Sequence, residues 1–230
     1  MDLIQALAAE LGKDPRHVEN VVHLLDEGNT IPFIARYRKE LHGAMDDTSL
    51  RTLEERLQYL RGLEERREAV KKSIDEQGKL TDELAAAIDS AKTLAEVEDL
   101  YRPYKQKRRT RATMAKEKGL EPLAALLFAQ ERDCPRPEEA ARDFVDPEKG
   151  VETVEDALQG ASDIIAEQIS DDAAIRKSLR ALISRQGQLV SRAATEDYSV
   201  YRRYYYFTQS VARLQGHQVL AITRGEKEGI

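Results

Sequence analysis

The chain has 230 residues, long enough to bury a real core in one large or two small domains. Charged residues make up 34%, aromatics 6%, and tryptophan is absent, which fits a helical protein with heavily solvated faces. The formal charge of −6 argues against non-specific nucleic-acid binding by the whole surface, so any such binding must be local.

Cys134 is a lone cysteine, which excludes an intramolecular disulfide framework and suits a reducing compartment. The N-terminus lacks the basic-then-apolar build of a signal peptide. The longest apolar run, residues 123–129, is too short to span a bilayer. These features read together as a cytoplasmic protein that does not enter a membrane.

Leu3, Ile4, Leu7 and Leu11 fall at helical spacing before Gly12. Asp14 and Pro15 cap and open a second helix whose buried stripe is Val18, Val21, Val22 and Leu25. Thr30 and Pro32 start a third, buried through Ile34, Tyr37 and Leu41. Three short helices with tight connections have a helix-turn-helix outline, shared by many small bundles that do not read DNA.

From Asp46 or Asp47 the helical pattern runs unbroken to about residue 77, a rod of roughly 45 Å at about 1.5 Å per residue. Leu50, Leu53, Leu57 and Leu60 are spaced as in a coiled coil. Glu64 and Arg67 then interrupt the repeat before Val70 and Ile74 resume. The expectation is a long helix packed against others over part of its length. Four-residue pairs Arg51–Glu55, Arg61–Glu65 and Glu68–Lys72 can support it. Gly62 in mid-helix suggests close approach of another backbone.

Thr81 and Thr93 cap two further helices, the second with Glu96 in capping-box position, and Pro103 stops it. Beyond that stop the charge balance reverses. Lys105, Lys107, Arg108, Arg109, Arg111, Lys116 and Lys118 against Glu117 give residues 105–118 a net +6. Such a run repels itself, and the repulsion is relieved by an anion or an acidic surface.

Two helices follow, residues 113–118 and 121–130, the latter apolar enough to be core. Residues 133–150 hold three prolines and Gly150 around one short helix, which predicts a junction. Domains are therefore expected over residues 1–146 and 147–230. Thr153 caps one helix of the second part and Asp171 another. Residues 188–194 could be extended, residues 198–207 helical or mixed, and residues 217–224 form a short last helix before Gly225. The predicted class is all-α: a multi-helix bundle with helix-turn-helix-like short helices and one long central helix.

Four stretches resemble the N-terminal region of the Tex family of bacterial transcription accessory proteins. They are Thr30-Ile-Pro-Phe-Ile-Ala-Arg-Tyr-Arg-Lys-Glu40, Leu53-Glu-Glu-Arg-Leu57, Asp99-Leu-Tyr-Arg-Pro-Tyr-Lys-Gln-Lys-Arg-Arg-Thr-Arg-Ala112 and Gly119-Leu-Glu-Pro-Leu-Ala124. Val219-Leu-Ala-Ile-Thr-Arg-Gly-Glu-Lys-Glu-Gly229 resembles the family segment leading into its next domain. The resemblance implies an all-helical N-terminal portion of an RNA-binding transcriptional accessory protein. It also implies that an RNase H-like domain, helix-hairpin-helix modules and an OB-fold lie outside this sequence.

The candidate nucleic-acid-binding residues are Arg102, Lys105, Lys107, Arg108, Arg109 and Arg111, whose forks and ammoniums suit phosphate. Arg36, Arg38 and Lys39 can extend the patch. Competing readings remain for the run: a loop folded onto acidic residues such as Glu64, Glu65 and Glu68, or a protein partner. Partners from this reading are RNA or DNA backbone, the transcription or translation machinery, and downstream domains. The alternative function is a helical protein-interaction scaffold.

Tyr198, Tyr201 and Tyr205 share one helical face, so the aromatic run at 198–207 reads as core, with a single-strand stacking platform as the competing view. His17, His23, His42 and His217 show no metal-ligand spacing, and no glycine-rich phosphate loop or nucleophile elbow is present. No active site, cofactor or metal is expected.

Overall fold

A computed structural model describes residues 3–106, 108–132, 134–195 and 197–230. Lys107, among the candidate binding residues, lies outside them. The described residues form twelve α-helices, several short 3-10 turns and one two-stranded sheet, so the chain is predominantly all-α. They fall into two compact units, one up to Tyr101 and one from Arg102 onward.

The first unit contains α1 (Leu3–Leu11), α2 (Pro15–Asp26), α3 (Ile31–Tyr37), α4 (Asp47–Asp75), α5 (Asp82–Ser90) and α6 (Leu94–Tyr101). Every other helix of this unit packs on α4. Asp46 caps it, its carboxylate accepting from the Ser49 N–H at 2.7 Å. Leu50, Leu53 and Leu57 are buried with Leu7, Val18, Val21 and Ile34 in one core.

The predicted interruption of that stripe does not expose the helix. Leu63 is buried in its place, and Arg67 lays its stem along the same face while donating to Glu64 and to the Ala91 carbonyl. None of the three expected four-residue pairs forms. Arg51 turns back to Asp47, Arg61 reaches Asp26 of α2 with two hydrogen bonds, and Lys71 rather than Lys72 meets Glu68. For Arg61 a bidentate tertiary partner outcompetes a flexible neighbour on the same helix, whereas Arg51 and Glu68 exchange one partner on α4 for another.

Two packing expectations also fail. Tyr37 is 56% exposed, set against Phe33 at 5.2 Å between ring centroids, because α3 ends there. At Gly62 an added Cβ would meet no heavy atom within 4 Å, so no close approach explains that glycine.

The second unit contains α7 (Arg111–Glu117), α8 (Glu121–Ala129), α9 (Pro137–Ala141), α10 (Val154–Asp171), α11 (Ala173–Gln186), β1 (Gln188–Arg192), β2 (Tyr206–Ser210) and α12 (Gly216–Glu228). Thr153 and Asp156 form a reciprocal capping box at the start of α10. The cap of α11 is Asp172, accepting from Ile175 N–H at 2.7 Å, and not the predicted Asp171. β1 and β2 pair antiparallel, with Arg192 opposite Tyr206 and Gln188 opposite Ser210.

The aromatic run takes the mixed form of the two expected and not the helical one. It is a 3-10 turn, Arg202–Tyr204, running into β2, so Tyr198, Tyr201 and Tyr205 do not share a helical face and only Tyr205 is buried. The last helix does not stop at Gly225 either. It continues to Glu228, with Gly225 buried against the ring of Tyr201.

Candidate nucleic-acid interface

The basic run begins in a 3-10 turn, Arg102–Tyr104, and ends in the first residue of α7. Thr110 caps that helix, its hydroxyl accepting from Thr113 N–H at 3.0 Å. α7 is two residues longer at its start than the spacing suggests, so Arg111 lies on a helix.

What holds α7 in place is the small-residue face of α10. Ala157, Ala161 and Ile164 are fully buried there with Ala112, Ala115 and Leu120. Gly160 completes the face. A Cβ on it would lie 2.3 Å from Leu120 Cδ1 and 3.3 Å from Ala115 Cβ, so any larger residue requires the buried Leu120 side chain to move. The anchored helix then fixes one end of the basic segment.

The other end is fixed electrostatically. Arg102 Nε donates to the buried Asp171 carboxylate at the end of α10, at 2.8 Å. Lys118 Nζ donates to the Gly150 carbonyl at 2.7 Å, and Lys116 approaches Glu121 at 3.3 Å.

Between these anchors the described cations face solvent. Lys105, Arg108, Arg109 and Arg111 are all exposed. Arg109 meets Glu117 at 2.8 Å, an exposed pair of small energetic weight. Lys105, Arg108 and Arg111 form no ion pair with any described residue. The structure thus pairs two of the candidate residues and leaves three facing water.

Arg36 and Arg38, on α3 and just after it, lie over aromatic rings of the same segment, Arg36 near Tyr37 at 6.0 Å and Arg38 near Phe33 at 5.3 Å. Glu64 and Glu68 of α4 are engaged by Arg67 and Lys71 of the same helix. Among the described residues no three His, Cys, Asp or Glu side chains gather so as to hold a metal ion. No helix among them is long and apolar enough to cross a membrane.

A second cationic region escaped the reading of the sequence. Residues 173–213 hold eight lysines and arginines against two acidic residues. Its density is lower than that of the first run, and its cations are interleaved with aromatic and apolar residues. A count in a longer window would have found it.

Residues 1–75 match the model of the Tex-like protein N-terminal domain, and residues 133–230 match that of the Tex central region. The chain belongs to the Tex family. Among its relatives, Protein YhgF of Escherichia coli is 48% identical over 227 residues, covering 97% of this chain and 29% of that protein. Transcriptional accessory protein Tex of Neisseria gonorrhoeae is 43% identical over 235 residues, 100% of this chain and 30% of the relative. S1 RNA-binding domain-containing protein 1 of Homo sapiens is 30% identical over 236 residues, 98% and 23%. The chain spans less than a third of the length of these Tex relatives. Residues 102–111 lie between the two matched Tex segments, so the candidate interface falls where neither domain model reaches.

Proposed function

We propose that this chain serves in a nucleic-acid-associated transcription accessory protein, without catalysis of its own, and contacts RNA or DNA backbone through the basic segment. The observation that carries this reading is the exposure of Lys105, Arg108 and Arg111 with no acidic partner among the described residues. Three cations held near one another and left to water gain most from a phosphate chain, which releases its own counterions on binding. Arg102 and Arg109 add charge at the edges of the patch, and Lys107 lies within the same run. The names of the Neisseria gonorrhoeae and human relatives support the class of partner.

The test is a salt series of RNA and DNA binding. It compares the chain with a variant carrying glutamine at Lys105, Lys107, Arg108, Arg109 and Arg111. If all five are engaged, the variant's log–log slope is shallower by about 3.5 for a single strand or about 4.5 for a duplex. Equal affinity and equal slope in the two proteins overturn the reading.

A second reading, a helical scaffold that docks on the transcription or translation machinery or on further domains, is favoured by α11. Ile175, Leu179, Leu182 and Ile183 on that helix are all exposed at helical spacing. It predicts cosedimentation with RNA polymerase or ribosomes that Leu179→Glu with Ile183→Glu abolishes and the glutamine variant does not.

A further inference from the structure

The tyrosine-rich hairpin divides its aromatic residues into two sets. Tyr201 donates to Glu228 of α12 at 2.7 Å, and the buried Tyr205 bonds the Asp197 carbonyl and the Ser199 hydroxyl. Tyr204 meets the edge of Phe207 at 5.4 Å between centroids. These four hold the unit together. Tyr206 does not: it is 85% exposed and has no hydrogen bond to a described residue.

Strand geometry gives Tyr206 its neighbours. Side chains two apart share a face of the sheet. One face carries Leu189, Ser191, Phe207 and Gln209, all half-buried. The other carries Gln188, Val190 and Arg192 from β1 with Tyr206, Thr208 and Ser210 from β2; all are exposed except Ser210, which is half-buried at the far end of the ladder. Arg192 stands directly across the ladder from Tyr206, where facing side chains start about 5 Å apart. It forms no ion pair with a described residue. The stretch of sequence that contains this hairpin, residues 173–213, has a net charge of +6 in a chain whose total is −6.

We infer that the outer face of this hairpin binds single-stranded RNA, with Tyr206 stacking on an unpaired base and Arg192 meeting the adjoining phosphate. An exposed ring beside a cation serves both halves of a nucleotide, whereas an apolar protein surface would leave the guanidinium without a partner. Gln188 and Thr208 on the same face can hydrogen-bond a ribose 2′-hydroxyl, which selects RNA over DNA. This site is separate from the basic segment of residues 102–111 and goes beyond the role proposed for it.

The experiment is fluorescence anisotropy of the whole chain with a short labelled oligouridylate, the matching oligodeoxythymidylate and an RNA duplex. Tyr206→Ala is expected to weaken oligouridylate binding about tenfold and to leave duplex binding unchanged. Tyr206→Phe retains the affinity, because stacking needs the ring and not the hydroxyl. Arg192→Gln makes the salt slope for the single strand shallower by about 0.7. Undiminished oligouridylate binding by Tyr206→Ala, or an equal loss on the duplex, overturns the stacking site. Equal binding of oligodeoxythymidylate overturns the choice of RNA. Repeating the series with glutamine at Lys105, Lys107, Arg108, Arg109 and Arg111 separates the two interfaces. The Tyr206 effect persists there whether or not the basic segment binds, and its disappearance in that background overturns a separate site.

Discussion

Arg102 and Asp171, 69 residues apart in sequence, meet through a 2.8 Å hydrogen bond from Nε to Oδ1, with the guanidinium half in water and the carboxylate buried. The contact ties the start of the basic segment to the end of α10. Arg102→Ala is expected to destabilise the second unit by about 1–2 kcal/mol, since it strips a charged donor from a buried acceptor at a half-exposed site. Urea denaturation at neutral pH measures it. A loss as small as that of an exposed charge, such as Lys105→Ala, would deny the anchor.

Glu117 tests the opposite sense. Its carboxylate sits 2.8 Å from Arg109, with both side chains more than half exposed. Glu117→Gln therefore changes stability by less than about 1 kcal/mol. It also releases a cation and removes an anion from the patch, so affinity for a phosphate backbone rises about two- to threefold at low salt. Anisotropy with wild type and variant side by side gives the ratio.

Two helical glycines should respond with opposite signs to alanine. Gly62 has open space where a Cβ would go, so Gly62→Ala stabilises by about 0.5–1 kcal/mol through helix propensity. Gly160 has Leu120 and Ala115 in that space, so Gly160→Ala displaces the fully buried Leu120 side chain and costs about 1–3 kcal/mol. Thermal melts of the two variants separate them by direction alone.

Acid should dissolve one tertiary link. The Arg61 guanidinium, bonded to both oxygens of Asp26 at 2.7 and 2.8 Å, holds that carboxyl below the usual aspartate value. A depressed folded-state pKa contributes stability above the unfolded value and loses it as pH falls through the folded one. Asp26→Asn is therefore expected to cost about 0.5–1 kcal/mol at neutral pH, given the half-exposed pair. The gap between variant and wild type narrows below about pH 4. Urea midpoints across that range follow it.

Local rules recovered most of the elements. Asp14, Asp46, Thr81, Thr93 and Thr153 all carry side chains that accept from a helix start, because an unsatisfied N–H recruits the nearest oxygen regardless of what lies further away. The long helix, the stripe of Leu50, Leu53 and Leu57 and the charge of the basic run follow from spacing in the same way. The aromatic segment did not, because a helical period over 198–205 is equally consistent with a turn entering a strand, and only the pairing with β1 chooses between them. Ion pairs were legible as charges and not as partners.

Sequence alone determined the family, the helical class and where positive charge accumulates, since each depends on residues close together in the chain. Tertiary structure decided which cations are spent on partners and which are left to water: Arg102 on Asp171, Arg61 on Asp26, but Lys105, Arg108 and Arg111 on no described acid. The reason is geometric. A long side chain chooses among whatever the packing of helices brings within a few ångströms, and that choice is made by contacts dozens of residues apart.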